Sequence, residues 1–361
     1  MINKDLEIIK PDDWHVHLRD DMLMKSVIND TAINFGRALV MPNLSPPVLS
    51  VSAALSYKNR LMQALSFNLR QLGNKHEIYQ SLSNFKPYMT IFLTENTSID
   101  EIQKAHESEE ILAFKYYPAG ATTNSDNGVR DLKNCYKLFE LMSKFGIRLC
   151  LHGEVVDSQV DIFDRERKFI EKELIPIVER FPQLKIVFEH ISTADSVQYV
   201  FESNENMAAT ITPQHLIYNR NDLLAGGLKP HRYCAPVLKT EKDRLALVKA
   251  ATSGNNRFFL GTDSAPHLVH EKESSCGCAG CYSSPHAIPI YLEVFESQNQ
   301  LEQFEKFASL NGARFYGLPL NKKKVVFCRN DWSPQSLVKI SEVENVMPLA
   351  YGTTLKWRIK N

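Results

Sequence analysis

Two histidines separated by one residue, His15-Val16-His17, close an apolar run near the start of the chain. On a strand, side chains at i and i+2 share a side, so both imidazoles could bind one metal ion. An isolated pair of this kind is more often a surface or core accident. Two further histidines change the balance: His152 stands near the end of the run IRLCLHGE and His190 ends LKIVFEH. A hydrogen-bonded core histidine is the ordinary reading of any one of them, but it fits four at strand ends poorly. Asp263 ends another apolar run, in Gly261-Thr-Asp-Ser-Ala-Pro-His267. One of its carboxylate oxygens could bind metal while the other accepts a proton from metal-activated water; without the histidines it would read as a helix N-cap. Lys115 lies among apolar residues in ILAFKYYPAG. An ammonium beside two divalent cations would be repelled. The bland alternative is a snorkelling surface lysine; a lysine that has reacted with CO2 would instead be an anionic carbamate able to bridge two metals.

Such residues need elements that bring them together. Eight β-rich runs are visible: IIKPDDWHVHL, GRALVMPN, YMTIFLTEN, ILAFKYY, IRLCLHGE, LKIVFEH, AATITPQH and RFFLGTDSAPH. Helical segments alternate with them, the usual sign of a parallel sheet with crossover helices. His15 and His17 close the first run, Asn43 the second, Lys115 the fourth, His152 the fifth, His190 the sixth and Asp263 the eighth. In a closed parallel barrel all these strand ends open on one face, so the residues would converge. An open doubly wound sheet also fits the pattern. Ser98-Ile-Asp-Glu101 and Thr240-Glu-Lys-Asp243 carry helix-start signatures. The helix of about 130–145 should stop at Gly146, and the helical stretch around 50–72 reads as an insertion or an extended crossover helix. From about 322 onward the chain is β-like and holds none of these motifs. The expectation is an α/β fold: a (β/α)8 TIM barrel over 1–321, with a small β-rich extension over 322–361 packed on it.

Composition narrows the function. The chain has 361 residues with Lys+Arg 42 against Asp+Glu 42, a formal charge of zero. That balance excludes a generic nucleic-acid binder, which needs a clear cationic surplus. The first twenty residues lack the apolar core of a secretory signal, and no stretch approaches the roughly 18 apolar residues of a membrane span. A soluble cytoplasmic protein without nucleic-acid or membrane partners is expected. The cysteines number 7, an odd count, and three crowd into Cys276-Gly-Cys278-Ala-Gly-Cys281, so thiols are expected rather than a disulfide framework. Taken alone, that cluster also resembles three ligands of a structural zinc or iron–sulfur site, with His270 or His286 as a fourth.

Taken together, HxHxR (His15, His17, Arg19), MPN (Met41 to Asn43), KYYPAGATTNS (Lys115 to Ser125), LHGE, FEHIST, TPQH and GTDSAPH followed by KESSCGCAGC resemble the dihydroorotase family, in the short bacterial-type subgroup of the amidohydrolase superfamily. The match runs from about residue 10 to 317, and NGARFYGL (Asn311 to Leu318) resembles the superfamily's terminal helix motif. The resemblance implies two zinc ions per chain. His15, His17 and Asp263 would hold the more buried one, and His152 and His190 the more exposed one. Carboxylated Lys115 and a hydroxide would bridge both. It further implies that the hydroxide attacks the ring amide of dihydroorotate while Asp263 carries the proton to the leaving nitrogen. In the biosynthetic direction N-carbamoyl-L-aspartate is closed with loss of water, a step of pyrimidine (UMP) synthesis.

By the same resemblance Arg19, Asn43 and His267 grip the substrate carboxylate. Thr122 and Thr123 close over it on a mobile loop, and Ala235 and Ala279 touch it through their main chains. At Ala235 the family often has a larger apolar residue. The cysteine-rich loop would lie beside substrate without metal, and the chain would form a homodimer. His76, His106, His215, His231, His270 and His286 receive no role. The competing readings are another cyclic amidase (hydantoinase, dihydropyrimidinase or allantoinase) and a non-catalytic barrel scaffold; the latter would normally lack some ligands, and here none is missing.

Overall fold

A computed structural model describes residues 5–72 and 82–360; His76 lies outside them. Strand β1 (Leu6–Ile9) precedes an eight-stranded parallel sheet: β2 (Asp12–Val16), β3 (Arg37–Val40), β4 (Lys86–Phe92), β5 (Ile111–Tyr116), β6 (Arg148–Leu151), β7 (Ile186–Phe188), β8 (Met207–Ile211) and β9 (Phe258–Leu260), neighbours in sequence order. Just past β9 the chain returns to β2. The Asp263 amide donates to the His15 carbonyl at 2.8 Å, and the His17 amide to the Ser264 carbonyl at 2.9 Å. These two bonds close the barrel, so the open doubly wound alternative falls away.

One expected run divides in two. Ile8 and Ile9 belong to β1, which pairs antiparallel with β10 (Lys324–Trp332), not with the barrel. Lys10-Pro11 is the break, because proline has no N–H to offer a ladder and restricts the residue before it. Two short strands, β11 (Val338–Lys339) and β12 (Asn345–Val346), pair with each other, and β13 (Leu355–Ile359) completes the sheet with β10 and β1.

The helix signals hold with one adjustment. Ser98 accepts from the Glu101 amide, and Thr240 forms a reciprocal box with Asp243. The segment expected at 130–145 begins as a 3-10 turn, Leu132–Cys135, before the helix Tyr136–Phe145, which ends on Gly146 in the left-handed region at φ 67°. Val51–Leu72 is one helix joining β3 to β4 and packed on both β4 and the helix Asp21–Asn34, hence a crossover helix.

Strand alternation sorts the core into two layers. Ala38, Val40, Phe114, Leu149, Leu151, Ile186 and Phe188 face the helices, whereas Leu39, Ala113, Cys150, Val187, Ala208 and Phe259 face inward. The inward set meets Trp14, Ala313 and Tyr316 at the barrel floor. Trp14 stacks on Tyr316 with centroids 4.6 Å apart. The indole lies so close to Gly312 that a Cβ there would fall 2.0 Å from Nε1. The NGARFYGL segment is therefore the plug beneath the site. Gly312→Ala should destabilise the protein by about 1–3 kcal/mol, the usual cost of overpacking; urea denaturation of variant and parent measures it, and an unchanged midpoint would refute the plug.

Candidate active site

The inward parity of the barrel carries straight into the site. Two residues beyond inward Ala113 stands Lys115, beyond Cys150 stands His152, beyond Val187 stands Glu189, and beyond Ala208 stands Thr210. Each is buried. Small residues below and polar residues above make these strands the floor and wall of one chamber.

The His15 ring is fixed by a chain of hydrogen bonds. The His190 amide donates to Thr210 Oγ1 at 2.7 Å, and Thr210 donates to Glu189 Oε2 at 2.6 Å. That oxygen is thus an acceptor, so the 2.8 Å contact with His15 Nδ1 requires the proton on Nδ1. His15 Nε2 is left as a lone pair, 3.4 Å from Asp263 Oδ1. His17 Nε2 lies 3.0 Å from the same oxygen. Ligand atoms of His15, His17 and Asp263 all fall within 4.8 Å of one another. On the other flank, the His190 ring lies 5.0 Å from that of His15 and 4.9 Å from that of His152. His152 Nε2 faces Glu154 Oε2 at 2.7 Å. His190 Nδ1 and Lys115 Nζ are buried with no hydrogen-bond partner among the described residues.

Burial dominates the electrostatics. It pushes the His15 and His190 imidazoles well below their ordinary range, with Lys115 adding to the effect, so both rings are neutral near pH 7. Burial likewise lowers Lys115, opposed by the Glu189 charge. For Asp263 burial works upward, but the His17 hydrogen bond and the surrounding bases hold it below the usual carboxylate value. Neutral imidazoles, an ionised carboxylate and an orphan amine form a donor set suited to divalent cations. The backbone is strained at the same place: Arg19, His190 and Asp263 sit in the left-handed region at φ 57°, 40° and 45°, conformations that non-glycine residues adopt only when the surroundings impose them.

A cavity opens beside this cluster, lined by Arg19, Asn43, Thr122, Thr123, Ala235 and Ala279 along with His17, His152, His190 and Asp263. His15 and Lys115 lie behind that lining. Arg19 is held by Nε on the Pro266 carbonyl at 3.0 Å and by Nη2 on His267 Nε2 at 2.9 Å. His267 is driven down to about 4, by burial first and by Arg19 second, so at neutral pH it can accept from the guanidinium. No carboxylate forms an ion pair with Arg19 among the described residues. Asn43 Nδ2 donates to the Thr123 carbonyl at 3.1 Å, and Asn124 Nδ2 donates back to the Asn43 carbonyl at 3.1 Å. The loop of the two threonines is therefore tied down over the cavity.

Several residues that shape the site were passed over in the sequence. Glu189 and Glu154 stand inside quoted motifs; strand parity marks Glu189 as inward, while nothing local distinguishes Glu154. Lys272 is a further case: its Nζ donates to the carbonyls of Tyr233, Cys278 and Gly280 at 2.8, 2.6 and 2.8 Å. A lysine thus organises the cysteine-rich loop, in which Cys276 is exposed, Cys278 half-buried and Cys281 buried. His215 is satisfied by Thr212 Oγ1 and the Pro236 carbonyl at 2.7 and 2.9 Å. His286 Nδ1 meets the Leu349 carbonyl at 2.8 Å, His231 pairs with Glu273 at 2.9 Å, His106 stacks on Phe145 at 4.5 Å, and His270 is exposed.

Comparison with known proteins agrees with this architecture. The amidohydrolase family model matches residues 8–322. A dihydroorotase from Coxiella burnetii is 51% identical over 358 residues, 99% of each chain. Another from Acaryochloris marina is 49% identical over 354 residues, 98% of each. The crystal structure of dihydroorotase from Campylobacter jejuni aligns with a TM-score of 0.87 at 32% identity, covering 100% of this chain and 99% of that one. L-hydantoinase from Arthrobacter aurescens shares the fold alone, with a TM-score of 0.79 at 15% identity over 98% of this chain and 83% of that one. The chain belongs to the amidohydrolase family, a family of hydrolases on this barrel. Within it, the function its full-length relatives support is that of a dihydroorotase.

The tie between Asn43 and the loop is open to test. Asn43→Ala removes the bond to the Thr123 carbonyl, worth about 1 kcal/mol, so amides of residues 120–125 should exchange roughly fivefold faster. Hydrogen-exchange mass spectrometry reads this directly; unchanged rates would mean the loop is held by its own turns.

Proposed function

We propose that this cavity interconverts N-carbamoyl-L-aspartate and dihydroorotate at a two-zinc centre bridged by carboxylated Lys115. The observation that carries the reading is Arg19, a half-buried guanidinium facing the cavity with no carboxylate ion-paired to it among the described residues. A substrate carboxylate would complete it.

The close approach of His15, His17 and Asp263 supports a division of the donor set. His15, His17 and Asp263 would hold one ion, His152 and His190 the other, with Lys115 between them. Zinc so held supplies Lewis acidity at the ring carbonyl and lowers the pKa of water. The protein's own groups do the rest. Burial favours the neutral form of the Lys115 amine, and it is that form which would add CO2: nitrogen bonds to carbon and releases a proton. Asp263 Oδ1 faces both histidines, leaving Oδ2 to carry a proton between nucleophile and ring nitrogen. Arg19 and Asn43 bind the carboxylate, and His267 aims the guanidinium. Thr122 and Thr123 exclude water from above, while Ala235 and Ala279 present their main chains. The barrel of 1–321 is the catalytic unit in this reading and 322–361 its extension. A homodimer in the cytoplasm, with no nucleic-acid or membrane partner, belongs to the same proposal. Among the described residues no helix is long and apolar enough to cross a membrane.

Arg19 also separates this reading from that of a neutral cyclic amidase. A charge-assisted bidentate contact is worth about 1.5–3 kcal/mol, so Arg19→Gln should lower kcat/KM for dihydroorotate roughly 10- to 100-fold. Turnover of dihydrouracil, which has no carboxylate, should change far less. Measured at equal zinc loading, an equal proportional loss on both substrates would overturn the assignment of Arg19.

A second test addresses the metal. Glu189→Ala frees the His15 ring to change tautomer and orientation, and loss of such an outer partner typically weakens metal binding about 10- to 100-fold. Zinc affinity by chelator competition should fall by that factor, while circular dichroism shows the barrel intact. Parent-like affinity would remove Glu189 from the centre.

A further inference from the structure

Among the described residues, Tyr117 is the one buried hydroxyl on the cavity wall that no protein group reaches. It follows Lys115 by two residues and so continues the inward side of β5 into the chamber. Its position is fixed on several sides. The ring stacks on Phe92 with centroids 5.0 Å apart. Lys115 Nζ lies 5.0 Å from the ring centre, and the His152 ring lies 6.4 Å away. Its carbonyl accepts from the Val129 amide at 2.9 Å, and Gly128 lies so close that a Cβ there would come within 2.5 Å of that oxygen. A ring pinned in this way cannot swing its hydroxyl to another partner.

Leaving a buried hydroxyl unpaired destabilises the free protein. Phenylalanine would fill the same space without that cost. The hydroxyl therefore has its use when the cavity is filled. Its ring lies beside Lys115 and His152, whereas Arg19 is anchored elsewhere, on Pro266 and His267. Beside Lys115 and His152 the donor is placed to serve the reacting end of a bound ring, and its hydroxyl also lies within electrostatic range of Arg19.

We propose that Tyr117 is a further catalytic residue, whose O–H donates a hydrogen bond to the substrate's amide oxygen and strengthens that bond as negative charge develops there. The proposal rests on the reading of this cavity as the site of dihydroorotate hydrolysis. No bond to the tyrosine is made or broken; the proton stays on the phenol throughout. Such a donor, preorganised in a water-poor cavity, acts mainly on the chemical step.

The test is Tyr117→Phe in the full-length zinc enzyme with dihydroorotate as substrate. Expected is a fall in kcat of roughly 10- to 100-fold, with KM within about threefold of the parent. Zinc content should be unchanged, and the melting temperature of the free enzyme should be equal or higher, because only an unpaired hydroxyl is removed. A kcat within twofold of the parent would overturn the proposal, as would a loss confined to KM or a loss accompanied by reduced zinc or a lower melting temperature. Tyr117→Leu, which removes ring and hydroxyl together, should lose at least as much kcat as Phe; a smaller loss would also overturn it. Turnover by the parent tests the underlying reading separately: an active parent with an equally active Phe variant sinks Tyr117 alone, whereas a parent inactive on dihydroorotate sinks the reading itself.

Discussion

The seam between β9 and β2 governs both the barrel and its site. Two backbone bonds close the sheet there, from Asp263 to His15 and from His17 to Ser264, at 2.8 and 2.9 Å. The residues that make the seam are the ones whose side chains converge, so closing the barrel and assembling the cluster are one event. Gly261 makes the approach possible. A Cβ at that position would stand 2.8 Å from the Thr210 side chain and 3.0 Å from His15 Cβ. Any larger residue would push β9 off the histidines and widen the cluster. Thr262 adds a second tie, its amide and hydroxyl both donating to Asp13 at 2.9 and 2.6 Å. The left-handed turn at Asp263 is held against its own strain by these neighbours.

A chamber so dry places demands on every titratable group in it. Burial drives the imidazoles toward neutrality and works against the carboxylates. Glu189 is pushed upward by burial, with Lys115 opposing. It meets that demand through a shared oxygen: Oε2 takes both the Thr210 hydroxyl and the His15 ring. Because Thr210 in turn receives the His190 amide, one chain of bonds joins histidines on opposite flanks of the cluster. The rotation of the His15 ring and the backbone of His190 are thereby coupled, and neither can shift alone.

Much of this was legible in the sequence because parallel strands advertise themselves. Apolar runs ending in histidine, asparagine, lysine or aspartate located seven of the residues at the barrel mouth, and helix starts at Ser98 and Thr240 were read from capping chemistry alone. What stayed hidden was whatever depends on a neighbour distant in sequence. Nothing local reveals that Ile8 and Ile9 leave the first run to pair with β10, some 315 residues on. Glu189 reads as one half of Glu-His, and only the closed barrel, which brings the end of β7 to β2, makes it the partner of His15. Tyr117 reads as an aromatic beside a lysine; its unpaired hydroxyl exists only once Phe92 and Gly128 have fixed the ring. Lys272 looks like a surface charge until the loop folds three carbonyls around it. Motif reading finds ligands and anchors; the groups that orient them come from tertiary geometry.

In the proposed reading, the choice of substrate follows from how Arg19 is held. Two of its donors are committed to the protein, Nε to Pro266 and Nη2 to His267, which fixes the plane of the fork. Tyr57 further clamps the Arg19 carbonyl, at 2.5 Å, so the left-handed backbone cannot relax. A guanidinium desolvated to this degree and facing a cavity is poorly matched until an anion arrives. A carboxylated ring would supply that anion; a neutral cyclic amide of equal size would leave the half-buried charge unpaired. Discrimination thus comes less from attraction to the correct ligand than from the penalty against the wrong one, and sites built on that penalty reject an analogue lacking the group far more strongly than apolar pockets reject a missing methylene. In the proposed reading the donor set of histidines, lysine and aspartate would accept several cyclic amides, and Arg19 would narrow the choice to one that carries a carboxylate.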